Sequence, residues 1–270
     1  MKADCGEMHP LDQGLAIQKP VFLMARQAGT ERKMADKTYL KTTLAISILF
    51  VLLGVCGTAH AEIIYVDDDG PGDFTNIQAA IDAAVDGDVV IIAPDTYTGD
   101  GNRDIDFHGK AITVRSIDPN DPNIVAVTII DCNGTRIDPH RGFYFHSNED
   151  ANSVLAGLTI TNGYASYGGG AIYCGYSSNP TITRCNITAN VSGSRTEGSG
   201  RGGGICCELS SPIISNCTFL RNHAYYRDWQ YPNTGLGGAM YCSRSNLTII
   251  NCTFLENGAP GYGGQLHFQW

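Results

Sequence analysis

From Ile63 onward the apolar residues come in short runs that alternate with polar ones, as in Ile63-Ile64-Tyr65-Val66, Thr181-Ile182-Thr183 and Leu247-Thr248-Ile249-Ile250. These runs are rich in β-branched residues and are broken by Gly, Asn, Ser and Pro, which predicts strands. One stretch follows a different period. Ile77, Ala80, Ile81 and Ala84 share one face of a short helix, with Thr75-x-x-Gln78 as its capping box and Gly87 as its stop. Val89-Val90-Ile91-Ile92 then reads as a buried strand.

Leu44 to Val55 is an apolar run of another kind, too short to cross a bilayer comfortably, which takes ~20 residues. Lys37 and Lys41 precede it, and Ala59-His60-Ala61 follows with small residues at both outer positions. This is the pattern of a secretory signal peptide cleaved after Ala61. A transmembrane anchor is disfavoured by length, and a lipoprotein site at Cys56 by Val55, where a small residue is wanted. Residues 1–61 are read as a leader, with translation starting at Met24 or Met34, 62–98 as a cap and 99–270 as the body. The mature chain is expected to be secreted, periplasmic or on the cell surface, with no membrane span.

The body repeats itself. Gly169-Gly170-Ala171-Ile172-Tyr173-Cys174, Gly202-Gly203-Gly204-Ile205-Cys206-Cys207 and Gly237-Gly238-Ala239-Met240-Tyr241-Cys242 each lead into a Thr-, Ile- and Cys-containing run that ends in Asn190, Asn222 or Asn257. A further copy begins at Gly263, and a cysteine-free copy runs from Gly142-Phe143-Tyr144-Phe145 to Asn162. The steps between final Asn residues are 28, 32 and 35. A period in this range signals stacked units. Strands this short bury a face only by stacking, so the predicted fold is all-β: a parallel β-helix with coils ~4.8 Å apart. Three columns are expected: Cys174, Cys207, Cys242; Cys185, Cys217, Cys252; and Asn162, Asn190, Asn222, Asn257. Buried free thiols are favoured over disulfides, because parallel side-chain vectors suit disulfide torsions poorly. Cys206, beside Cys207 on a strand, is expected to face outward. The helix at 77–84 would close the first end of the solenoid.

The 270-residue sequence has net charge −9 with 17% charged residues, and the 18 acidic residues within 62–150 against 5 basic ones concentrate that charge near the start. No basic face exists for nucleic acid. Among the acidic residues, Asp67, Asp68, Asp69 and Asp73 could ligate calcium through oxygen; the competing reading is a polar turn before the helix. No Cys or His spacing suits zinc.

The segment Gly70 to Ala84 followed by Pro94-Asp95-Thr96-Tyr97 resembles the N-terminal cap of pectin methylesterases and other pectin-lyase-like right-handed β-helix proteins. The later copies, Gly169 to Ile172 with Phe219 to Asn222 and Phe254 to Asn257, resemble chlamydial polymorphic outer-membrane protein repeats. Together these imply a right-handed parallel β-helix outside the cell, with polysaccharide as the substrate class. The esterase catalytic segments and the pectate-lyase Asp-His motif have no match, so no catalytic residue is carried over.

Direct inspection finds no catalytic pair of carboxylates in 151–270, where Glu197, Glu208, Asp228 and Glu256 do not align. Arg184, Arg221 and Arg244 read as solvated outer-face residues. The insertion His223 to Pro232 holds Tyr225, Tyr226, Arg227, Asp228, Trp229 and Tyr231, a set suited to sugar rings or to a protein partner; packing against the solenoid is the competing reading. Ser192 to Gly200 reads as a bare flexible tip. The expected function is binding of a polysaccharide or cell-surface glycan along the solenoid side. The alternatives are a polysaccharide lyase, hydrolase or esterase with its site in coils beyond Trp270, and a surface adhesin or structural repeat protein. Gly263 opens a coil that Trp270 leaves unfinished, so a longer, C-terminally truncated parent protein is expected.

Overall fold

The short strands stack into three long parallel sheets in the computed structural model, which describes residues 60–194, 200–226, 235–261 and 263–269. All of these belong to one compact unit, Ala59–Trp270. The expected signal peptide, Leu44 to Val55, lies outside the described residues. Among the described residues no helix is long and apolar enough to cross a membrane.

Sheet A stacks Ile63–Val66, Val89–Ile92, Thr113–Ser116, Val154–Ala156, Thr181–Thr183, Ile213–Ser215 and Thr248–Ile250. Sheet B stacks Thr96–Thr98, Ile129–Asp131, Thr159–Thr161, Asn186–Thr188, Thr218–Leu220 and Thr253–Leu255. Sheet C stacks Ile105–Asp106, Phe143–Phe145, Ile172–Cys174, Ile205–Glu208, Met240–Ser243 and Leu266–Gln269. Each coil runs from A to B to C. Between B and C, later coils carry outlying strands, Tyr164–Ala165, Val191–Ser194 and His223–Tyr226 in one small sheet, and Gly200–Arg201 with Gly235–Leu236 in another.

Equivalent residues sit directly above one another. Ile182 pairs with Ile214 and Leu155, and Ile187 with Phe219 and Ile160, all fully buried. Cys174, Cys207 and Cys242 occupy one column. Cys185 and Cys217 follow the sheet A turn, the sulfur of each 3.3 Å from the carbonyl oxygen two residues back, and the sulfur of Cys252 is placed in the same way at 3.4 Å. The eight cysteines among the described residues are free thiols. Burial pushes the Cys206 thiol well up, so it stays protonated.

The asparagine column is a hydrogen-bonded ladder. Asn190 Nδ2 donates to Asn222 Oδ1 at 3.0 Å, and Asn222 Nδ2 donates to Asn257 Oδ1 at 3.0 Å. Each Oδ1 also accepts a backbone N–H from the preceding coil, from Gly163, Asn190 and Asn222 in turn. Asn162 does not belong to this column. Thr161 pairs with Thr188, which places Asn162 level with Ala189 and Gly163 level with Asn190. Asn162 instead takes the left-handed corner at φ 54°, and its Nδ2 donates to Asp131 at 3.0 Å. The final-Asn alignment is thus one residue out of step in that coil. Gly169, Gly202, Gly237 and Gly263 form another left-handed column, where a Cβ would lie about 2 Å from a carbonyl oxygen three residues on.

Helix α1, Ile77–Ala83, buries Ile77, Ala80 and Ile81 in the first coil. Its cap differs from the expected Thr75/Gln78 box: Asn76 is the N-cap, its side chain accepting from Ala79 N at 2.9 Å. Gln78 is drawn away to accept from Asp106 N and to donate to Asp82. The helix ends at Ala84, and Lys110 Nζ donates to the carbonyls of Ile81 and Asp82 at its C-terminus. Gly87, at φ 96°, serves the turn into Val89–Ile92. A second short helix, α2, Pro122–Val127, interrupts the turn from sheet A to sheet B.

Candidate functional site

Alternation along sheet C strands sends every second side chain outward. Its register therefore builds one outer column, Asp106, Tyr144, Tyr173, Cys206, Tyr241 and His267. The next outward position carries His146 and Glu208. Each tyrosine is the residue after the Ile or Met of its repeat, or between Phe143 and Phe145.

Two arginines lie over this aromatic file. The Arg141 guanidinium stands 5.1 Å from the Tyr144 ring centre and 5.4 Å from that of Tyr173. That of Arg201 stands 4.8 Å from Tyr167 and 5.2 Å from Tyr241. Tyr167 and Arg201 reach sheet C from the outlying segments between B and C. Glu208 ties them together: it accepts from Arg201 Nη1 at 2.9 Å, from Tyr167 at 3.2 Å and from Tyr173 at 3.1 Å. Arg201 Nη1 also donates to the Tyr167 hydroxyl. Burial and the Glu208 carboxylate push the Tyr173 phenol far up, so it remains a donor.

Arg141 is different. Burial depresses its pKa, and its Nη1 is buried with no hydrogen-bond partner among the described residues. Arg201 Nε is likewise without one. A buried cation with a free donor is costly unless an acceptor arrives.

Carboxylate–imidazole pairs flank Arg141. His146 Nε2 lies 2.9 Å from Asp106 Oδ2, which also lies 3.1 Å from His108 Nδ1. His140 Nδ1 lies 2.5 Å from Asp104 Oδ2, and its Nε2 lies 3.1 Å from Asp138 Oδ1. Tyr144 stacks on His146 with ring centres 4.0 Å apart. The face thus combines aromatic platforms, unsatisfied cationic donors and acid–base pairs.

Of the residues singled out from sequence, Asp67, Asp68 and Asp69 do converge, with one oxygen of each within 4.8 Å of the others. Burial and the nearby Asp95 raise the Asp68 pKa. The oxygen set is of the type calcium takes, but Asp73 is not part of it: its Oδ2 accepts from Tyr65 N at 2.8 Å and pins the turn. Tyr225 lies on the outlying strand His223–Tyr226, its hydroxyl 3.5 Å from that of Tyr164. Tyr226 is on the same strand. Arg227, Asp228, Trp229 and Tyr231 lie outside the described residues, as do residues 195–199 of the expected flexible tip; its start is instead held in the strand Val191–Ser194, with Ser192 fully buried. Cys206 does face outward, but it is fully buried beside Gly168 rather than solvated. Sequence reasoning did not single out Arg141, Tyr144, His146, Tyr167, Tyr173 or Arg201, and it weighed Glu208 only as a member of a catalytic carboxylate pair and set it aside. The available signal was the aromatic at the odd position of successive copies.

Parallel coils stacked in register, with inward ladders and one decorated outer sheet, define a parallel β-helix protein. The chain belongs to the family described as the right handed beta helix region, which matches residues 117–267. Searches of curated proteins and of solved structures each found no match.

Proposed function

We propose that this protein is a secreted or cell-surface glycan-binding solenoid that holds a polysaccharide along the outer face of sheet C. The observation that carries the reading is Arg141, a guanidinium laid on Tyr144 and Tyr173 with a buried Nη1 that has no acceptor among the described residues. A ligand oxygen would supply that acceptor. The tyrosines support sugar rings by their apolar faces, and coil spacing of ~4.8 Å lays them out along the axis as an extended polymer would need.

Binding of plant and algal polysaccharides, measured by affinity electrophoresis and calorimetry, tests this with Arg141→Ala and Tyr173→Ala beside the parent. At least one polymer should bind the parent and lose roughly tenfold in affinity in Arg141→Ala, the scale of one charge-assisted hydrogen bond. Equal affinity in all three proteins removes the face from the site. Trp229→Ala tests the aromatic insertion separately.

A second reading, a polysaccharide-cleaving enzyme, is favoured by the Asp106–His146 pair. A carboxylate that fixes an imidazole is the arrangement of a general base. New chain ends in a polymer incubated with the parent, but not with His146→Gln, would establish it. Unchanged polymer in both would leave binding alone.

A further inference from the structure

The turn from sheet A to sheet B takes two residues in four coils: Gly157-Leu158, Arg184-Cys185, Asn216-Cys217 and Asn251-Cys252. Between Ser116 and Ile129 it takes the whole stretch 117–128, including α2. This insertion is fastened at several points. Asp121 accepts from Asn123 N at 2.8 Å to start the helix, and Thr128 Oγ1 donates to Ile124 O at 2.9 Å. Thr159 Oγ1, on the adjacent coil, donates to Val125 O at 2.7 Å. Gly157 makes the room: it has φ 67°, and a Cβ there would stand 2.5 Å from Pro119 Cα. The next two coils carry Arg184 and Asn216 at that turn position, and the insertion overhangs them.

The overhang encloses a groove of about 400 Å³. Asn186 and Thr218, on the outer face of sheet B, form its floor; Arg184 and Asn216 stand at the turn edge, and Pro122 and Val125 form the wall. Arg184 is the only charged residue of the lining. Thr159 precedes Asn186 and Thr218 in the same column, and α2 already covers it. Thr253, the next position the other way, is exposed. The groove is therefore closed at the α2 end and open toward later coils.

We infer that this groove is a second binding site, for a single hexopyranose ring such as the terminal residue of a glycan. Amides and a hydroxyl both donate and accept, as sugar hydroxyls require. Pro122 and Val125 offer an apolar wall to the C–H face of the ring. The volume falls at the small end of ligand sites, roughly 300–1,000 Å³, which suits a sugar ring and excludes a folded peptide. A chain lying along the axis would have to end here. The site is independent of the reading given for sheet C.

Saturation-transfer NMR on the full chain tests the inference. The probes are methyl glycosides of glucose, galactose and mannose, with glucuronate and galacturonate as the charged arm. At least one probe should receive transfer from the parent. Thr218→Trp, which fills the groove, should abolish it, and Asn186→Ala should weaken affinity about fivefold, one hydrogen bond's worth. Arg184→Gln separates the arms: it removes binding of a uronate and spares a neutral glycoside. No transfer from any probe overturns the inference. So does parent-like binding in Asn186→Ala, a variant that leaves the core untouched and decides the matter even should Thr218→Trp fold poorly. Loss in Arg141→Ala with none in Asn186→Ala would place the sugar on sheet C and overturn it equally.

Discussion

The inside and the outside of sheet C are built on the same strands and obey opposite rules. Inside, every position of a column is apolar: Ile105, Phe143, Ile172, Ile205, Met240 and Leu266 in one, Phe145, Cys174, Cys207, Cys242 and Phe268 in the other. Outside, successive positions differ in chemistry: Asp106, Tyr144, Tyr173, Cys206, Tyr241. Close packing forces the first uniformity, since a coil must fit the one before and the one after it. Nothing in stacking demands the second pattern. The outer face departs from repetition where Arg141, Arg201 and Glu208 gather, and that departure marks a site rather than a scaffold.

Substitutions on the two sides should separate the roles. The largest effect is expected at Phe219, fully buried and stacked on Phe254 with ring centres 4.9 Å apart. Phe219→Ala should lower unfolding free energy by about 4 kcal/mol in chemical denaturation. A loss under 1 kcal/mol would mean the interior is not close-packed. Next is Asn222, fully buried and bonded on both sides of its coil. Asn222→Leu leaves the Asn190 side-chain amide without its acceptor and Asn257 Oδ1 without its side-chain donor, and should cost about 3 kcal/mol. Parent-like stability there would reduce the ladder to decoration.

The outer face should respond in function and hardly in stability. Arg141→Ala is expected to change unfolding free energy by less than about 1 kcal/mol, because the cation it removes is buried with no acceptor for Nη1 among the described residues. A large loss would reassign Arg141 to the scaffold. At the corner after sheet B, Ala189, Arg221 and Glu256 all adopt φ near 55°, where only glycine is unstrained. Ala189→Gly should stabilise by up to about 1 kcal/mol, read as a higher denaturation midpoint. The smallest effect is chemical. Cys252, at the last described coil, is half-buried, and the hydrogen bond from Cys217 lowers its thiol to about 6. Among the eight described cysteines it should be the one that iodoacetamide labels first in the native protein. Its rate should level off above neutral pH, because the thiolate already dominates there; a rate still climbing toward pH 9 would contradict the lowered value.

Much of this was legible in the chain. The Cys columns, the Ile and Phe core positions and the Asn190–Asn222–Asn257 ladder follow from repeats whose spacing has no other physical use. Asn162 shows the limit of reading by residue type: an asparagine suits a ladder and a left-handed corner equally, and only strand register assigns it to the corner. The cap of α1 is a similar case, since Asn76 and Thr75 both suit an N-cap and Gln78 is claimed by Asp106 in another coil.

The sequence by itself determined the stacking, because apolar runs of three or four residues with recurrent Gly, Cys and Asn can be buried only against copies of themselves. Only the tertiary structure decided which outer residues meet. Arg141, Tyr173 and the Arg201–Glu208 pair come from three successive coils and occupy different positions in them, and the groove beneath α2 likewise joins residues from three coils. Contacts of this kind depend on side-chain reach across coils and on how insertions fold back. Neither leaves a period in the sequence, since each is made once.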